Sequence, residues 1–191
     1  MADGYRELAG KVIAENETTL MRVDPAEVDA LIERIVAARR IQLFSMGRCQ
    51  LAARGFAMRL AHMGHEAHIV YDTVTPAIGP GDLLIGLCFA NNVELNVARE
   101  AKKAGASIAL ITPHPESEHG KLADLCVRLP GQIFGGPDEV PSIQPMATLL
   151  EQSLLLFTDI VVMMLIDREH IPVKAMHERH GNLEGLPKAF A

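Results

Sequence analysis

IQLFSMGRCQLAARGFAMRLAHMG, residues 41–64, changes its apolar period part-way along. Ile41–Met46 is a short β-rich run, and Gly47-Arg48-Cys49-Gln50 is a glycine-containing turn. Leu51, Phe56, Met58, Leu60 and Met63 then recur at helical spacing up to a stop at Gly64. Strand, tight turn and helix N-terminus in that order form an anion site, because the first helical N–H groups lack partners and the helix dipole favours negative charge. Arg48 adds a fixed positive fork there. The plainer alternative is a first βα unit of an α/β sheet with Arg48 in solvent.

The flanking sequence extends this unit in both directions. Upstream, Asp3–Leu20 (Leu8, Val12, Ile13, Leu20) and Pro25–Arg39 (Val28, Leu31, Ile32, Ile35) read as two amphipathic helices, the second opened by Asp24, Pro25 and Glu27. Downstream, strands are expected at Glu66–Val70, Asp82–Cys88, Ser107–Ile111 and Leu125–Leu129, with helices at Asn91–Gly105 and Glu116–Ala123. DLLIGLC is apolar enough for a central strand buried on both faces. Such alternation with short connections predicts a parallel sheet with right-handed crossovers. Pro130–Pro141 reads as a long loop, Ser142–Arg168 as a long helix capped by Ser142, and Val173–Arg179 as a final short helix. Leu154–Ile166 is apolar nearly all round, so that helix is expected to lie between its own sheet and a neighbouring subunit.

Composition narrows the functions. A chain of 191 residues, 49% apolar and 22% charged, can bury the core of one domain. The net charge of −6, with no basic run interleaved with aromatics, argues against nucleic acid as a partner. MADGYRELAG has neither a basic n-region nor an apolar h-region, and Cys49, Cys88 and Cys126 show no CxxC spacing; both point to a reducing cytoplasm. Leu154–Ile166, interrupted by Thr158 and Asp159, falls short of the ~20 residues of a membrane span, so no membrane partner is expected.

Ligands of open parallel sheets lie beyond the carboxyl ends of the strands, where the strand order reverses. The candidate loops are Ser45–Gln50 and Cys88–Val93. The second offers Asn91 and Asn92 as donors but neither glycine nor hydroxyl. Cys49 and Cys88 open the two loops, and without further ligands they read as small buried thiols rather than a metal site. His62, His65 and His68 do not share a face and read as surface histidines. Glu151, among Leu149, Leu150 and Leu154, is either exposed at a helix start or a carboxylate facing a pocket. His180 is equally open by itself.

Several strings resemble the sugar-isomerase (SIS) family, and within it the 6-phospho-3-hexuloisomerases. Ser45–Gln50 is similar to the family's G-x-G-R-S-G loop, Phe56–Leu60 is F-A-M-R-L intact, and Thr73–Pro76 is T-V-T-P. Pro145, Thr148 and Glu151 resemble P-x-x-T-x-x-E, and Arg179–Glu184 resembles R-H-x-N-L-E. The resemblance implies a single three-layer α/β SIS domain with a five-stranded parallel sheet in the order 2-1-3-4-5. Its parts would be a helical hairpin (1–40), a sheet core (41–130) and C-terminal helices (142–184). It implies isomerisation of a small anionic sugar through an enediol, without cofactor or metal, by a homodimer or homotetramer. Glu151 and His180 would be catalytic; Gly47, Arg48, Cys49, Cys88, Asn91, Asn92, Thr73 and Thr75 would bind substrate. The family's phosphate loop S-G-S-G-x-T corresponds here to Cys88-Phe89-Ala90-Asn91-Asn92-Val93, with every Ser, Gly and Thr replaced. The alternative function is a non-catalytic sugar-phosphate-binding regulator, although no helix-turn-helix segment accompanies it.

Overall fold

The computed structural model describes residues 2–88 and 90–181, so Phe89 and the Asn182-Leu183-Glu184 end of the C-terminal motif lie outside the described residues. Five parallel strands form the sheet: β1 (Arg40–Phe44), β2 (Ala67–Ile69), β3 (Asp82–Leu87), β4 (Ser107–Thr112) and β5 (Leu125–Arg128). Their order is β2-β1-β3-β4-β5, as expected. The order reverses between β1 and β3, so the crevice for a ligand opens where those two strands end. All six residues of β3 are buried, which the uninterrupted apolar run requires.

Alternation along the strands divides the core. Leu43, Ile85 and Ile111 face one side and meet Leu31 and Ile35 of α2 (Pro25–Ala37), Phe56 and Leu60 of α3 (Cys49–Met63), and Leu154 and Val161 of α6 (Thr148–Arg168). Phe44, Leu84, Ile108 and Leu110 face the other and meet Ala98 and Ala101 of α4 (Asn92–Lys103). The short α5 (Glu118–Leu122) joins α4 on that face. Each fully buried leucine or isoleucine adds about 1.5–3 kcal/mol of transfer free energy. Helices therefore cover both faces of the sheet.

α3 and α6 lie side by side and run in the same direction. Arg48 meets Glu151 where both begin, and His65 meets Glu169 just past their ends. Gly64 ends α3 with φ 107°, and the His65 N–H returns to the Leu60 carbonyl at 3.0 Å. Arg179, just after α7 (Val173–Glu178), donates to the His62 and Met63 carbonyls at 3.2 and 3.3 Å.

Three expectations need correction. α6 begins at Thr148 instead of Ser142. Pro145 disfavours helical geometry in the residue before it, and the Ser142 hydroxyl donates to Glu15 at 2.6 Å instead of capping a helix. Of the apolar stripe of α1 (Ala2–Met21), Leu20 packs against the core and Leu8 and Ile13 are exposed, while buried Asn16 bonds Gln152 and Ser153. His62 is buried at 8% exposure, its ring 5.0 Å from that of His180. On α6, Leu149, Leu150, Leu154, Phe157, Val161 and Leu165 are buried, and Leu155, Leu156, Ile160, Met163 and Met164 are exposed. At 21 residues it is also long and apolar enough to cross a membrane, yet half of its apolar window is buried in the core.

Candidate active site

At the mouth between β1 and β3, the Arg48 guanidinium pairs with the Glu151 carboxylate at 2.8 Å and donates to the Thr148 hydroxyl at 3.4 Å. Thr148 and Glu151 stand one turn apart on α6, so both face the start of α3. Only 14% of the Glu151 side chain is exposed, against 60% of Arg48. The carboxylate is thus sheltered, while most of the Arg48 side chain remains exposed. Glu151 is therefore not exposed at its helix start but sheltered against Arg48.

Beneath them lie two thiols. The Cys49 and Cys88 side chains are hydrogen bonded, and both are buried. That contact, then burial and the nearby charges of Glu94 and Glu151, push the Cys88 thiol far up, so it is a protonated filler and not a nucleophile. Cys88 has φ 55°, in the left-handed region that side chains with a Cβ rarely adopt. Ser45 ties the two loops together by donating to the Leu87 carbonyl. Among the described residues, no group of three or more His, Cys, Asp or Glu could hold a metal ion.

The turn before α4 differs from the expectation of free amide donors. The Asn91 side-chain oxygen accepts from Val93 and Glu94 N–H at 2.9 and 3.2 Å, and its amide nitrogen contacts the Met46 sulfur at 3.3 Å. Asn91 is therefore a helix cap that also joins the two loops. Glu94, 2% exposed, folds back and accepts from Ala90 and Asn91 N–H at 2.6 and 3.0 Å. Asn92 is exposed.

Support for the site comes from segments that carry no chemistry of their own. A Cβ on Gly131 would stand 2.8 Å from the Leu150 Cα, so the loop after β5 packs main chain to main chain against the turn bearing Glu151. Glu139, at the other end of that loop, accepts N–H bonds from Ile133, Phe134 and Gly135 and pairs with His114 at 2.7 Å. Glu15 of α1 holds Ser142, Ile143 and Gln144, which lead into α6. Sequence reading missed Glu15, Gly131 and Glu139, whose partners are distant in the chain. Glu94 did leave a signal: Asn91-x-x-Glu94 is a capping-box spacing.

Other expected site residues stand apart from Arg48 and Glu151. The Thr75 hydroxyl donates to the Ile69 carbonyl and lines an open cavity of about 280 Å³ with Arg54, Met58, His68 and Asp72. Thr73 is exposed on the same loop. His180 sits beside His62, about 20 Å along α3 from Arg48 at 1.5 Å rise per residue. Within one protomer it does not meet Glu151.

Residues 34–156, which hold the sheet and the first turns of α6, match the SIS domain family. The chain belongs to the SIS domain family. It is 35% identical over 181 residues to a Bacillus subtilis protein named 3-hexulose-6-phosphate isomerase, covering 93% of this chain and 98% of that one. A protein of the same name from Mycobacterium gastri is 35% identical, with 96% and 97% covered. A crystal structure of a Methanococcus jannaschii protein, described as inferring that same function, superposes with a TM-score of 0.81 at 29% identity, covering 93% and 99%.

Proposed function

We propose that this protein is a sugar-phosphate isomerase of the 6-phospho-3-hexuloisomerase type, a single SIS domain acting through an enediol. The observation that carries the reading is the sheltered Glu151 carboxylate, paired with Arg48 where β1 and β3 part. The relatives named 3-hexulose-6-phosphate isomerase support the same chemistry. Moving a hydrogen between adjacent carbons needs one base and one donor at the oxygens. Glu151 is the base: it takes the proton from the carbon beside the carbonyl and returns it to the neighbouring carbon. Arg48 holds the substrate's negative charge with its outer N–H groups.

His180 is the second group, and it acts from a neighbouring subunit. The outward apolar residues of α6, with Leu51 and Met58 on α3 and Leu8 and Ile13 on α1, form the surface for that neighbour. Three free cysteines suit a cytoplasmic location. The test is Glu151→Gln, which keeps shape and a hydrogen-bonding group but removes the base. It should fold, bind sugar phosphate and lose about 10²–10⁴-fold in kcat for interconverting 3-hexulose 6-phosphate and fructose 6-phosphate. Full activity in that variant would exclude Glu151 as the base.

A further inference from the structure

The start of α4 lies at the carboxyl end of β3, and Asn91 links it to the Arg48 loop through Met46. A turn in that position ordinarily offers its N–H groups to an anionic ligand. Here four of the five amides from residue 90 to residue 94 are already taken. Val93 and Glu94 N–H donate to the Asn91 side chain, and Ala90 and Asn91 N–H donate to the Glu94 carboxylate. The carboxylate has nowhere else to go: Glu94 is almost wholly buried. A second anion would meet a like charge at hydrogen-bond range.

We infer that Glu94 is a specificity-determining residue that fills the anion position of the α4 turn with its own carboxylate and excludes phosphate from it. The inference rests on the isomerase reading of the site, because that reading places the turn against substrate. The end of the substrate lying over α4 is then neutral, a hydroxyl or carbonyl within reach of exposed Asn92, and the substrate's charge goes to Arg48. Burial raises the Glu94 carboxyl, and the two backbone bonds and the charge of His119 work against that rise in favour of the carboxylate.

Titration of the ¹⁵N-labelled protein with inorganic phosphate, following backbone amide resonances, tests this without turnover. In wild type, Ala90 and Asn91 should stay still while Cys49, beside Arg48, moves. In Glu94→Ala the two freed amides should move saturably, with phosphate bound there ~10-fold more tightly or better. Glu94→Gln keeps an acceptor for the same N–H groups without the charge, and should admit phosphate to a smaller extent even if Glu94→Ala fails to fold. Saturable movement of Ala90 and Asn91 in wild type would overturn the inference. So would folded variants in which both amides remain unmoved. Loss of the isomerase reading would show instead as full activity in Glu151→Gln, a result these amides do not report.

Discussion

Two buried carboxylates, Glu94 and Glu139, accept backbone N–H bonds with opposite electrostatic outcomes. Burial alone would raise Glu139, but bonds from Ile133, Phe134 and Gly135 and the His114 contact outweigh it and hold the carboxyl below its ordinary 4.5. A lowered folded-state value adds stability above 4.5, and that stability is lost as pH falls through the lowered value. Glu94 is raised, so its contribution declines as pH climbs from 4.5 through the raised value. Thermal melts across pH should separate the two. Glu139→Gln should be destabilised at neutral pH and converge on wild type in acid; Glu94→Gln should gain on wild type as pH rises. Parallel melting curves for wild type and Glu139→Gln at every pH would contradict the account.

At the scale of elements, strands and crossover helices were legible because their apolar periods are local and unambiguous. DLLIGL read as a buried strand and Gly64 as a stop, and both are so. The start of α6 was not legible, because Ser142 is claimed by Glu15, 127 residues away in sequence. Glu151 was found by its resemblance to a family motif, whereas the clamp that seats it left no local pattern. That clamp gives the element-scale prediction. Gly131→Ala must push the Leu150 main chain, since backbone atoms have no rotamer to yield. Stability should fall by about 1–3 kcal/mol. Displacement of Glu151 should lower kcat by up to ~10²-fold with little change in KM. Denaturant unfolding and steady-state kinetics measure both; an unchanged kcat would mean that the loop does not position the base.

For the whole molecule, the parallel pair α3 and α6 keeps Glu151 and His180 at opposite ends of one protomer. Both can serve one reaction only if a second copy lies across the first, its α3 running the other way. In a two-fold contact each subunit lends its carboxylate to one site and its imidazole to the other. Neither Glu151→Gln nor His180→Asn should then be active alone. Mixed and allowed to exchange subunits, they should regain activity, because one site of every mixed dimer holds both native residues. Equal amounts paired at random should recover about one quarter of wild-type activity. In a cell, two alleles of this gene, one defective at each residue of the pair, would rescue each other, and a subunit with either defect would leave one working site in a dimer with a healthy partner.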